Sequence, residues 1–203
     1  MKKFKVAITL LATLLCLASA ANADVIYDNL GSPNFGIDPI ALYGPLANSF
    51  STGPSGFTLA DVQLLLTLYD SSATGSVSVA LYSDSSKSPG NLLLNIGTLN
   101  DSALSSALSV VDFPLASTYT LTANTRYWLE VYSPDSSSAW WGWSSDQSAI
   151  GVAGEYFYNN DGLASNENGP YQMKLSAVPE PTTMLLLGLG LIGLAGVRRN
   201  FKV

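Results

Sequence analysis

The sequence predicts an all-β fold, an antiparallel β-sandwich or jelly roll, flanked by an N-terminal signal peptide and a C-terminal transmembrane sorting helix. Three observations predict the β domain. Stretch after stretch alternates apolar and polar residues with a period of two, which is the period of a half-buried strand. Clusters of Gly, Pro, Asn and Asp interrupt those stretches at short intervals, as tight turns require. No long helical pattern appears outside the two ends of the chain.

The first element is Met1-Lys2-Lys3-Phe4-Lys5, an apolar run from Val6 to Ala18, and then Ser19-Ala20-Ala21-Asn22-Ala23. A basic start, a short apolar run and an Ala-x-Ala ending read as a secretory signal peptide over residues 1–23. Signal peptidase is expected to cut after Ala23, fitting Ala21 and Ala23, with Ala20 as the second choice. The run is short for a membrane anchor. Cys16, the sole cysteine, follows Leu15 rather than a small residue, which argues against a lipid anchor. Without it the exported chain holds no disulfide, and its stability outside the cell rests on a packed core.

Strands follow in order. Val62, Leu64, Leu66 and Leu68 alternate with Gln63, Leu65, Thr67 and Tyr69. Val77, Val79 and Leu81 alternate with Ser78, Ala80 and Tyr82, and Tyr127, Leu129 and Val131 with Trp128, Glu130 and Tyr132. Further candidates are Val25–Asp28, Ala47–Ser51, Leu92–Leu99, Ser109–Phe113, Glu155–Tyr158 and Gln172–Ala177. A segment within Leu99–Leu108 suits one helical turn, and Asp161-Gly162 is expected at the bend of a hairpin. The domain is expected to run from 24 to 177.

Three strands end alike, at Asp70-Ser71-Ser72, Asp84-Ser85-Ser86 and Asp135-Ser136-Ser137-Ser138. Two readings are open. Asp and Ser close turns on their own backbone, or the three loops share one oxygen-rich rim for Ca²⁺ or sugars. No EF-hand loop is present, and no cofactor is expected.

Charge and composition exclude several functions. Residues 24–178 hold fourteen acidic side chains and three basic ones, Lys87, Arg126 and Lys174, a formal charge of −11. Such a domain avoids nucleic-acid phosphates and anionic lipid surfaces. The chain has no histidine. That removes a Ser-His-Asp triad and the usual zinc ligands. Glu130, Glu155 and Glu167 stand as carboxylates for glycoside hydrolysis, but no motif marks a pair. A Ser-Lys dyad would need Lys87 or Lys174, and nothing marks either. The chain is therefore expected not to be an enzyme.

Trp128, Trp140, Trp141 and Trp143 are the residues best suited to a ligand. Flat aromatic faces stack on sugar rings, and they also fill cores. On a strand Trp141 and Trp143 share one face, suited to core packing or to ligand stacking, while Trp140 points the other way and is the expected exposed member.

The last element is Val178-Pro179-Glu180-Pro181-Thr182-Thr183, an uncharged run from Met184 to Val197, and Arg198-Arg199-Asn200-Phe201-Lys202-Val203. A helix over about 182–197 would span about 21–25 Å. That nearly reaches across a hydrocarbon core of about 30 Å, with the arginines snorkelling to the cytoplasmic side. Residues 178–203 resemble the PEP-CTERM sorting signal: a Pro179-Glu180-Pro181 element, a short Leu/Gly-rich helix and the Arg198-Arg199 pair, in that order, behind a signal peptide. The competing signals fit less well. There is no Leu-Pro-x-Thr-Gly, a lipid-anchor tail would end in apolar residues, and Gly190, Gly193 and Gly196 are spaced by three rather than four. The resemblance implies an exosortase, a membrane cysteine protease-transpeptidase, acting near Pro-Glu-Pro. It also implies a membrane-held precursor and a Gram-negative envelope or matrix rich in exopolysaccharide.

The middle of the chain is similar to the choice-of-anchor R domain, over about Asn29 to Ala177. The order Ser49-Phe50-Ser51-Thr52-Gly53, Gly56-Phe57-Thr58-Leu59, Ser88-Pro89-Gly90, Leu121 to Leu129 and Tyr171-Gln172-Met173-Lys174-Leu175 carries the resemblance. That family implies a surface domain and supplies no catalytic or binding residues. The expected function is a structural or adhesive role in exopolysaccharide or biofilm. A carbohydrate-binding module that retains exopolysaccharide is the alternative, and a glycoside hydrolase comes third.

Overall fold

A computed structural model describes residues 24–178. The signal peptide with Ala21 and Ala23, and the tail with Pro179, Glu180, Pro181, Arg198 and Arg199, lie outside the described residues. The fold is all-β and antiparallel. Its strands are β1 (Val25–Asp28), β2 (Gly36–Pro39), β3 (Leu46–Ser51), β4 (Phe57–Leu68), β5 (Ser76–Asp84), β6 (Pro89–Asn100), β7 (Ser109–Leu121), β8 (Arg126–Tyr132), β9 (Ala139–Trp143), β10 (Tyr156–Asn159), β11 (Gly162–Ser165) and β12 (Met173–Ala177). One short helix, α1 (Ile40–Tyr43), joins β2 to β3. The helical turn expected within Leu99–Leu108 is a 3₁₀ turn at Asp101–Ala103.

The strands form two six-stranded sheets. The first runs β1-β12-β4-β9-β2, with β7 on the other edge of β4. The second runs β11-β10-β3-β8-β5-β6. This order does not show a jelly roll. β4 organises the first sheet because it is long: β12 and then β9 pair along one edge while β7 pairs along the other.

Alternation decides which side chains meet between the sheets. Leu59, Val62, Leu64, Leu66 and Leu68 of β4 are buried, as are Val77, Val79 and Leu81 of β5 and Tyr127, Leu129 and Val131 of β8. All but Leu68 belong to one core cluster with Phe50, Phe113, Trp141, Tyr171 and Leu175. Polar side chains stitch the core to the sheet edges. Asn29 donates from its amide nitrogen to the Tyr171 carbonyl and accepts from the Met173 N–H, and Gln172 donates to the carbonyls of Asn29 and Ser32. Asn48 donates to the Tyr27 hydroxyl and accepts from the Tyr171 N–H. Burial pushes the Tyr27 phenol far above its ordinary pKa, so it stays neutral and can serve this network.

The two ends of β4 define two poles of the domain. At one pole the Ala177 N–H donates to Asp24 and the Val178 N–H to Thr58, so the chain enters and leaves side by side. At the other, Leu68 pairs with Ala139, and the loop to Ser76 crosses to the second sheet. The twelve residues of β4 separate the two ends by about 36 Å.

The hairpin expected to bend at Asp161-Gly162 turns one residue earlier. Asn159 pairs with Gly162, so Asn160 and Asp161 form the bend. Gly162, where the second strand starts, takes φ +102°, a conformation open to glycine.

Candidate functional site

The strongest candidate surface lies on the outer face of the first sheet, at the pole away from Asp24 and Val178. Thr67 of β4 pairs with Trp140 of β9, so both face outward, opposite to the buried Leu66, Leu68 and Trp141. Tyr69 is the next outward residue on that side of the chain. It sits diagonal to Trp140, a separation that aromatic side chains bridge. The two rings stack with centroids 5.1 Å apart and planes 20° from parallel. Trp140 is half-buried, while Tyr69 is 76% exposed.

The pair is held from below. The Tyr69 N–H donates to the Ser138 carbonyl at 3.1 Å, and the Asp70 N–H donates to Ser138 Oγ at 3.2 Å. Asp70 in turn accepts from the Ser72 N–H and hydroxyl at 2.8 and 2.7 Å. Those bonds hold its carboxyl below the ordinary pKa. Apolar area continues sideways from the stack. Leu65 packs its side chain near Gly142, and it pairs with Val110 of β7, which is 48% exposed. Leu108, 37% exposed, lies just before β7.

The other tryptophans are placed differently. Trp141 is fully buried, stacks on Tyr171 at 4.5 Å, and donates its indole N–H to the Gln172 carbonyl. It has no face left for a ligand, which corrects its place among the stacking candidates. Trp143 packs against the core from its edge. Phe35 stacks on it at 6.5 Å, and a Cβ at Gly36 or Gly169 would run into its ring, so glycine is needed at both positions for the indole to fit. Trp128 is fully buried yet outside the core cluster, because it lies on the outer face of the second sheet, where its indole N–H donates to Asp84 at 2.8 Å.

The three Asp-Ser loops do not share one rim. The Asp70 and Asp135 loops meet at one pole, where Ser76 donates its N–H and hydroxyl to Asp135. Asp84 sits at the opposite end of β5, because that strand runs from Ser76 to Asp84. Each carboxylate accepts bonds from neighbouring chain. Asp70 and Asp84 close their own turns on the Ser72 and Lys87 N–H groups, while Asp135 ties its loop to the start of β5 and Asp84 also holds Trp128, so no rim common to all three loops forms. Among the described residues no group of His, Cys, Asp and Glu is arranged to hold a metal.

Glu155, one of the carboxylates named for glycoside hydrolysis, is only 4% exposed. It accepts hydrogen bonds from Ser49 and Ser51 and pairs with Arg126 Nε at 2.8 Å. Arg126 and Lys87 both lie over the Tyr156 ring, at 4.9 and 4.8 Å. Glu130 is a half-buried carboxylate. It faces outward from β8, paired with Ala80 on one side and Ala47 on the other. Burial holds its pKa above the ordinary value, opposed by the Tyr82 hydroxyl beside it.

Residues 177–199 match the PEP-CTERM protein-sorting motif. This chain carries an exosortase sorting signal. It is an exported protein, sorted by an exosortase to the cell envelope. No curated protein matches the chain. Among the described residues no helix is long and apolar enough to cross a membrane.

Tyr69 was the functional candidate that the sequence did not single out. Its chemistry was visible, as the last outward residue of the β4 pattern. Its stacking partner depends on the β4–β9 register, which no local signal encodes.

Proposed function

We propose that this exosortase-sorted protein has a structural or adhesive role in an exopolysaccharide matrix, and that it holds the polymer through the Tyr69–Trp140 stack. The observation that carries the reading is a rigid, outward aromatic pair at the pole remote from Val178. Such a surface presents flat apolar faces to the apolar sides of sugar rings. Exposed apolar area of this kind on an exported protein marks an interaction site. The −11 charge of residues 24–178 favours an uncharged polymer over an anionic one. The sorting signal supports the setting, because it directs the chain to the envelope where such polymers lie.

A binding role suits the carboxylates better than hydrolysis does. Glu155 is occupied by Arg126, Ser49 and Ser51, leaving it unfit to serve as a free acid or nucleophile. The domain itself we place with the choice-of-anchor R type, on the order of its sequence motifs.

Trp140→Ala and Tyr69→Ala test this reading. Each is expected to cost about 0.5–1.5 kcal/mol of stability, the worth of the lost stack. Each is expected to weaken retention on the host's purified exopolysaccharide by about fivefold or more. Thermal melts and a pull-down measure the two effects separately. Undiminished retention in both variants would remove the stack from the binding surface.

A further inference from the structure

We propose that the outer face of the second sheet carries a separate site for an uncharged sugar ring, formed by Ser78, Asn95, Thr98 and Tyr132. It goes beyond the reading above: it lies on the opposite sheet and shares no residue with the Tyr69–Trp140 stack.

The register of three strands builds it. One rung across the sheet reads Asn95–Ala80–Glu130, and the next reads Thr98–Ser78–Tyr132. Ala80, on the first rung, is fully buried, so the depression opens over the second rung, with Asn95 also in its lining. A bulge shapes the wall. Gly97 pairs with Val79 and Asn95 with Ala80, which leaves Ile96 as the extra residue in β6. Ile96 turns into the core at 3% exposure, and Asn95 and Thr98 are left exposed on either side of it. Bulges of this kind re-aim side chains beside binding sites. The resulting depression, lined by Ser78, Val79, Asn95, Gly97, Thr98 and Tyr132, has a volume of about 330 Å³. That lies at the small end of the range for small-molecule sites, roughly 300–1,000 Å³.

The lining has the chemistry of sugar recognition. The Ser78 and Thr98 hydroxyls are 2.7 Å apart and hydrogen-bonded, so one proton and several lone pairs remain for a ligand. The Asn95 amide both donates and accepts. Tyr132 supplies a flat wall for the apolar face of the ring. Charge selects against anionic sugars. Lys87 and Arg126 are gathered at Tyr156, toward the far end of β8, and Lys174 pairs with Asp28 at 3.0 Å. The site stands at the same pole as Tyr69 and Trp140, since the Asp70 and Asp135 loops border both. A sugar polymer held on each sheet would be bridged by one copy of the protein.

Isothermal titration of the exported protein with uncharged gluco-, galacto- and manno-oligosaccharides, alongside glucuronate oligomers, tests the site. At least one uncharged oligosaccharide is expected to bind, with glucuronate oligomers about tenfold or more weaker. Asn95→Ala and Thr98→Val are both exposed substitutions, expected to melt as wild type and to weaken that binding by about tenfold, as lost hydrogen bonds predict. Tyr132→Ala should weaken that binding similarly, and Trp140→Ala should leave it unchanged. The proposal fails if no uncharged oligosaccharide binds, or if Asn95→Ala and Thr98→Val bind as wild type. Binding abolished by Trp140→Ala alone would uphold the aromatic stack and overturn this second site.

Discussion

Replacing Trp141 with alanine is expected to destabilise the domain by about 3–5 kcal/mol, the range for deleting a large aromatic from a packed core. The indole is fully buried, lies against the Tyr171 ring at 4.5 Å and donates to the Gln172 carbonyl. Its loss opens a cavity between the sheets and leaves that carbonyl with only the Leu65 N–H as donor. Tyr171 would be disturbed in turn, and its hydroxyl donates to Asp38 at 2.8 Å. Chemical denaturation of the exported protein measures the cost. A loss below about 1 kcal/mol would place Trp141 on the surface instead of in the core.

Breaking the Glu155–Arg126 pair from one side is expected to be about as costly. Arg126→Ala leaves a carboxylate at 4% exposure facing only the Ser49 and Ser51 hydroxyls, and an unpaired buried charge costs about 3–5 kcal/mol. Arg126 is itself 25% exposed, which places the loss toward the low end of that range. Adding Glu155→Gln to Arg126→Ala removes the stranded charge and keeps an acceptor for the hydroxyls. The double variant is therefore expected to be more stable than Arg126→Ala alone. Strict additivity in the denaturation cycle would show that the two residues do not act as a pair.

Strands with clean alternation were legible in the sequence, and strands defined by their partners were not. β4, β5 and β8 announce themselves because every second residue must enter the core. β1 was read from Val25 to Asp28, the same bounds that the structure shows. β7 was read only over Ser109–Phe113, the stretch before Pro114. It continues to Leu121 because it lies at a sheet edge, where a missing N–H removes no needed ladder bond, and the β4–β7 register shifts just there. β2 and β11 have four residues each and gain their identity from β9 and β10. The candidate surfaces follow the same rule. Trp140 was legible as the outward tryptophan, since parity sets it against Trp141. Its pairing with Tyr69, the burial of Glu155 and the Thr98–Ser78–Tyr132 rung all arise from register between distant segments. A shift of one residue would turn each side chain to the other face.

The central claim is that this is an exported chain sorted through its tail, and cell fractionation with intact-mass analysis of Pro179→Ala/Glu180→Ala tests it most directly. A residue that precedes a proline is biased toward extended backbone, the form a membrane protease can grip, and Glu180 precedes Pro181. The wild-type chain is expected to leave the membrane fraction with a mass that lacks the residues beyond the Pro-Glu-Pro element, and the double variant to stay in the membrane fraction with its tail intact. Release of the double variant, with the same mass and location as wild type, would contradict the account.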